Sequence, residues 1–394
     1  MITPEPTTQP DIQPIIPPAP GQINQLSLWL PPQFDPNNGT PAGDLLNARL
    51  AQFSSEHPGV TITVRIKASN GSGGLLDSLT TASVAAPTIL PGIILLTRSD
   101  LESAAREGLL TPIESTDVEI NENDLFAYAN GMVRTRGAKF GIPFAGDVLV
   151  LAYKPLQIGY PPVFWRDVLQ QQSIIAFPAA DLKGLIPLVL YQELGGEFIG
   201  DEEDVMLQET PLQRSLQVIS DGAAANVFPY WLTEYSTFEQ CWQALQESRA
   251  AYAVIWASQY LTETPDNVSI TSLPAVENNS LTLADGWIMT FPQTSPERYA
   301  AHLALAEYLL DPDFQQQWSE AASVLPVSRT ALSGWKDQGL SGILLQMAET
   351  ALLIPSNKIV ETAGPLLSSS VQELIRKQVS YIQASNSILK ELSE

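Results

Sequence analysis

The stretch KFGIPFAGDVLVLAYK, residues 139–154, decides the fold. Gly141 makes a tight turn, Pro143 sets the direction, and Gly146 breaks the chain again before Asp147. The run Val148–Tyr153 is β-branched, aliphatic and aromatic, which suits a strand buried in a pleated sheet. A charge at the mouth of such a strand is unusual. Asp147 either caps a local backbone turn or faces a cleft and binds something.

On the N-terminal side, Leu26–Leu30 alternates as a strand, and a loop rich in Pro, Asn and Gly follows. Asp44–Phe53 reads as an amphipathic helix. His57-Pro58-Gly59 then turns the chain into a second alternating strand, Val60–Ile66. Asn70-Gly71-Ser72-Gly73-Gly74 opens a helix; it lacks the Lys-Ser/Thr of a phosphate loop, so it reads as a flexible helix entry rather than an anion cradle. Ile93–Leu96 is a continuous apolar run fit for a strand covered on both faces, and Leu101–Glu107 is a helix ended by Gly108. Strands alternating with helices give an α/β class with a mostly parallel sheet, whose ligands bind beyond the carboxyl ends of the strands. Thr97, Arg98, Ser99 and Asp100 fall there after the third strand, and Gln33 and Asp35 after the first.

On the C-terminal side the pattern restarts. Short strands are expected at Ile174–Phe177 and Val268–Leu273, and Leu185–Leu194 is helical or simply apolar. Leu212–Asp221 and Thr237–Glu247 are helical. Tyr252–Trp256 is a strand expected to continue through Ala257, Ser258 and Tyr260. Ser295-Pro296 and Asp311-Pro312 are helix starts, with a capping side chain followed by Pro at the first helical position. Phe314 and Trp318 share a face of the second of these helices, and one long helix is expected from Ser370 past Ile382.

The totals narrow the function. A chain of 394 residues is too long for one simple core, so two or more lobes are expected. The net charge of −23 offers no basic stripe for phosphates, which argues against nucleic acid as a partner. No apolar run reaches the length of a membrane span. Cys241 is the single cysteine and reads as a buried core thiol, and two histidines, His57 and His302, leave little room for a His-based triad or a zinc site. The acidic run Asp201–Asp204 reads as a solvated loop. The 117–124 segment lacks the Gly and Glu of a calcium loop. No cofactor or metal is expected. Residues 1–23 carry seven prolines and read as an extended tether; Met1 precedes it without a charged or apolar leader, as in a chain lacking its export signal.

The order of parts resembles the extracellular solute-binding proteins of ABC importers, in the branch related to maltodextrin- and other sugar-binding proteins. The resemblance is carried by Leu26–Leu30, Glu56-His57-Pro58-Gly59-Val60, Pro91 with Ile93–Leu96, Gly108–Ile113, Gly141-Ile142-Pro143 through Ala152-Tyr153-Lys154, Ala251–Trp256, Asp285-Gly286-Trp287, Ser295–Trp318 and Leu325-Pro326-Val327-Ser328. It implies an α/β, two-lobed periplasmic-binding-protein-like fold of type II, each lobe a mixed sheet flanked by helices. The first lobe would take 24–146 plus 274–326 and the second 149–270 plus 330–394. Hinges would lie near Gly146–Val148, Leu273-Pro274 and Val327–Arg329, with Gly146 supplying backbone freedom.

The same resemblance implies a ligand site. Asp147 falls where sugar-binding relatives keep a carboxylate for sugar hydroxyls, Thr97 and Arg98 fall on the rim of the first lobe, and Trp256, Ser258 and Tyr260 fall on the second. Trp287 returns to the cleft from the first lobe. Aliphatic residues after Leu185-Ile186-Pro187, and Leu96 in place of a ring, disfavour a long oligosaccharide stacked on aromatics. The implied protein is not an enzyme: nothing pairs an acid with a base as glycoside hydrolysis requires. It would be a monomeric, extracytoplasmic binding protein, tethered as a lipoprotein, passing a sugar or polyol to ABC permease subunits. The alternative readings are a diverged sensor or scaffold and a carbohydrate-active enzyme.

Overall fold

The computed structural model describes residues 25–114, 120–199, 205–278, 280–292 and 296–394. The Pro-rich segment, the run Asp201–Asp204, part of the 117–124 segment and Ser295 lie outside the described residues.

The quoted stretch forms one strand, Gly141–Tyr153, and both lobes are built on it. Its first half pairs antiparallel with Thr282–Thr290, from Gly141 opposite Thr290 to Val148 opposite Ala284. Its second half pairs antiparallel with Tyr252–Trp256 on one edge and Ser269–Thr271 on the other. The sheet order across the molecule is Thr61–Ile66, Gln25–Leu30, Ile93–Thr97, Thr282–Thr290, the long strand, Tyr252–Trp256, Ile175–Ala176. The first three strands run parallel, as the helices Pro41–Glu56 and Leu75–Ala85 between them require. Ala351–Leu353 adds in parallel beside Thr282–Ala284.

Gly146 corrects the expectation of a break. It lies inside a continuous strand, and Leu325, on a third crossing of the chain, exchanges two backbone hydrogen bonds with it (2.7 and 2.9 Å). Glycine is needed there for space rather than for backbone freedom: a Cβ would come within 2.1 Å of the Tyr128 hydroxyl.

Two apolar clusters hold the lobes. One lies on one face of the first sheet, where Leu46, Leu50 and Phe53 of helix Pro41–Glu56 meet Leu28, Leu95 and Met289 of the strands. Helix Pro312–Ala321 joins them through Phe314 and Trp318, and the Trp318 ring lies 4.5 Å from Phe144 and 5.2 Å from Phe34. Each such ring contributes about 1.5–3 kcal/mol by leaving water. The other cluster covers the opposite face of that sheet and continues through the second lobe, where Val150, Val254, Leu190, Leu216 and Cys241 are fully enclosed. Burial pushes the Cys241 thiol pKa well up, so the expected core thiol is found. Asp311 caps its helix as expected, accepting the Phe314 N–H at 3.0 Å.

Three further expectations fail. The sheet is mixed rather than mostly parallel, because Thr282–Thr290 and the long strand run antiparallel to their neighbours Ile93–Thr97, Tyr252–Trp256 and Ser269–Thr271. The strand Tyr252–Trp256 does not continue: Ala257–Glu263 is a helix, so Ser258 and Tyr260 are helical. The C-terminal helix is two helices, Asn357–Ile375 and Tyr381–Leu392, parted where Lys377 adopts a left-handed backbone (φ 59°) and Ser380 caps the next helix by accepting from Gln383 N–H.

Candidate ligand-binding cleft

The third strand ends at Thr97, whose hydroxyl accepts the Asp100 N–H (3.3 Å) and starts helix Arg98–Arg106. Arg98, Ser99 and Asp285 thereby form the first-lobe wall of a cavity of about 330 Å³. The facing wall is the loop Leu182-Lys183, with Val360, Glu361 and Pro365 of helix Asn357–Ile375. That loop is set by its own side chain: Asp181 accepts the N–H groups of Lys183 (3.0 Å) and Leu185 (3.3 Å). Gly184 then turns in the left-handed region (φ 61°). Gly364 lets the loop lie on the helix, since a Cβ there would meet the carbonyl oxygens of Leu182 at 2.5 Å and Lys183 at 2.8 Å.

A buried polar link ties the two walls. Glu102 is 7 % exposed; its Oε1 accepts Arg98 Nε (2.8 Å) and its Oε2 accepts the backbone N–H of Asn357 (2.7 Å). The latter is one of the helix N–H groups with no partner inside the helix. Asn357 Nδ2 donates in return to the Ser99 carbonyl (2.7 Å).

Carboxylates gather at the crossing. Asp147 and Asp285 face each other directly across the antiparallel pair, where like charges repel. Asp147 Oδ1 accepts the N–H of Val148 (2.9 Å) and of Ser258 (3.0 Å), so it holds the first turn of helix Ala257–Glu263. Burial raises its pKa from 3.8 to about 7, against the pull of the Ser258 and Val148 hydrogen bonds and with a push from Asp285. Burial raises Asp285 too, against its bond from Gly286 N–H (2.8 Å) and the charges of Lys183 and Arg98. Asp100 is raised by burial and then by Asp285, and its Oδ2 is buried with no hydrogen-bond partner.

Of the residues singled out from the sequence, Arg98 and Ser99 line the cavity. Asp147 and Ser258 are brought into direct contact, and Thr97 stands beside Trp287 in the sheet. The Trp287 ring packs edge-on against Phe34 (5.8 Å), and the Trp256 ring against Phe238 (5.8 Å). Gln33 is exposed on the short turn Pro32–Phe34, and Asp35 accepts the Asn37 N–H (2.8 Å). Tyr260 is partly buried, its pKa raised by burial and then by Asp337. The polar cavity residues not foreseen from the sequence are Asp285, Lys183, Asn357 and Glu361. A larger cavity, about 690 Å³, lies between helix Pro41–Glu56, Tyr308, Asp124 and the Val327-Ser328 segment.

Two α/β lobes on a shared strand, with a cavity between them that carries polar groups on both walls, are the architecture of a two-lobed solute-binding protein. The chain belongs to the bacterial extracellular solute-binding protein family, whose model matches residues 48–339. Its fold is similar to that of the cyclic alpha-maltosyl-1,6-maltose binding protein from Arthrobacter globiformis, at 13 % identity, with a TM-score of 0.76, over 93 % of this chain and 97 % of that one. It is also similar to the sugar-binding protein MalE of Xanthomonas citri, at 16 % identity and a TM-score of 0.75, over 94 % and 97 % of the two chains. Maltose-bound MalE3 of T. maritima is similar at 17 % identity and a TM-score of 0.69, over 94 % and 99 %. No curated protein sequence matches this one. The family is extracellular, and no described helix is long and apolar enough to cross a membrane.

Proposed function

We propose that this protein captures a small sugar or polyol between its lobes and delivers it to the permease subunits of an ABC importer. The observation that carries the reading is the cavity of about 330 Å³ with polar groups from both walls, Arg98, Ser99 and Asp285 facing Lys183 and Glu361. Its size is at the low end for ligand pockets. The similar structures are named for maltose and related sugars, which favours a carbohydrate. Among the described residues no aromatic side chain lines the cavity, which favours one compact solute over a stacked chain of rings. In this reading 24–146 plus 274–326 and 149–270 plus 330–394 move as units about Gly146–Val148, Leu273-Pro274 and Val327–Arg329. Of the residues singled out from the sequence, Arg98 and Ser99 meet the solute in this cavity; Asp147, Thr97 and Trp287 on the first side, Trp256, Ser258 and Tyr260 on the second, and Gln33 and Asp35 at the rim lie outside its lining and come toward the solute only as the lobes close. Closure around the solute is the signal to the permease, since a ligand touching both lobes favours the closed state. The protein works as a monomer, outside the cytoplasm, held to the membrane by a lipid on the N-terminal side of its Pro-rich segment, and without catalysis.

A thermal-shift screen of sugars, polyols, amino acids and polyamines tests this. One class should raise the melting temperature, because a ligand at a hundred times its Kd adds about 2.7 kcal/mol to the folded state. If no class does so, the transport reading fails and the lobes serve as a scaffold or sensor. Turnover of a glycoside would overturn the assignment as a binding protein.

A further inference from the structure

We propose that the solute taken by this cleft carries a protonated amine, as an amino sugar or an aminopolyol does, and that Asp285 receives it. The inference rests on the reading of the interlobe cavity as the solute site and specifies what that site selects.

Asp285 lines the cavity, and the only donor it has among the described residues is the N–H of its own neighbour Gly286. Asp147 stands opposite it across the strand pair, and Asp100 beside it has a buried Oδ2 without a donor. Glu361 puts a further, exposed carboxylate on the facing wall. The cations close by, Lys183 and Arg98, offset this set only in part. Arg98 is taken by Glu102 at 2.8 Å, and Lys183, exposed on the facing loop, makes no salt bridge with a described residue. The rest of the lining is aliphatic or proline, from Leu182, Ile354, Pro355, Val360 and Pro365, so no ring face is there to orient a sugar by stacking. Orientation must come from charge and hydrogen bonds.

Three kinds of solute fare differently in such a cavity. A sugar acid would bring a further negative charge against Asp285, Asp100 and Glu361. A neutral sugar could donate hydroxyls but would leave those charges uncompensated. An ammonium donates to Asp285 and cancels charge in a partly dry site, where a charge-assisted hydrogen bond is strongest. The hydroxyls on the far side of the solute then accept from Lys183. Burial is the main cause of the raised proton affinities of Asp285, Asp147 and Asp100, and an ammonium beside Asp285 would favour its ionised form. The net charge of −23 draws cations toward the protein as a whole.

The test uses the full chain and matched probes in calorimetric titrations at neutral pH: glucose, galactose and mannose, their 2-amino-2-deoxy analogues, and their uronates. At least one amino sugar should bind about ten- to a hundredfold more tightly than its neutral parent, the worth of one charge-assisted hydrogen bond. The uronates should bind most weakly. Asp285→Asn should weaken the amino sugar about tenfold more than it weakens the neutral parent. A neutral sugar or uronate that binds more tightly than its amino analogue overturns the proposal, as does an Asp285→Asn variant with undiminished preference for the amine. Neutral binders without amino binders would sink the amine and leave the sugar reading standing. Silence from all nine probes, together with a blank thermal-shift screen, would take down both.

Discussion

Asp147→Asn should make the protein more stable at alkaline pH and flatten its dependence on pH below that. In the folded chain this carboxyl has its pKa raised from 3.8 to about 7, chiefly by burial. The unfolded chain ionises it near its ordinary value, so between 3.8 and about 7 the folded state binds the extra proton. Stability contributed by this group is therefore intact in acid, declines as pH rises through that window, and is at its lowest above it. At about 1.4 kcal/mol per unit the shift is worth roughly 4 kcal/mol. Asparagine keeps an oxygen for the N–H groups of Val148 and Ser258 while removing the charge that faces Asp285. The variant should thus gain about 2–4 kcal/mol over the parent near pH 8 and little or nothing near pH 4. Urea unfolding of both proteins across this range measures the difference. Equal destabilisation of the variant at both ends would refute the reasoning, because it would mean that Asp147 is an ordinary ionised cap whose charge the fold needs.

Two more substitutions probe the same junction. Gly146→Ala should cost about 1–3 kcal/mol as an overpacked site, since its Cβ would lie 2.1 Å from the Tyr128 hydroxyl. Tyr128→Phe in the same chain should return part of that loss, and strictly additive effects would show that Tyr128 is not what excludes a side chain. Glu102→Ala removes the acceptor of both Arg98 Nε and Asn357 N–H, and a broken buried ion pair costs about 3–5 kcal/mol. A loss under about 1 kcal/mol in urea unfolding would mean that the link between the walls is not a stabilising one.

The parts of the fold that depend on neighbours in the chain were readable. The alternation of Leu26–Leu30 and the apolar run Ile93–Leu96 became strands, and Asp311 became a cap, because each is determined within one element. The helix at Ala257 was not readable, because the carboxylate that holds its first turn belongs to Asp147, 111 residues earlier. Among the cavity residues, Asp285 carried the same signal as Asp147, a charge inside an otherwise apolar strand. Asp285-Gly286-Trp287 carries part of the family resemblance, but that resemblance assigns the carboxylate no role. Lys183 and Glu361 carried no such signal: each is an exposed charge on a loop or helix until the other wall is present.

By itself the sequence determined that strands and helices alternate and that the pattern restarts after residue 154. Those properties follow from the spacing of apolar side chains, which water acts on locally. That the segment through Asp147 crosses between two lobes is implied by the family resemblance and not by spacing. Only the tertiary structure decided what the junction is made of. It set Asp147 against Asp285, placed Tyr128 where Gly146 leaves room, and joined Glu102 to Asn357 across 255 residues. Each of these is a pairing between distant parts of the chain, and such pairings exist only once the sheets have closed the distance.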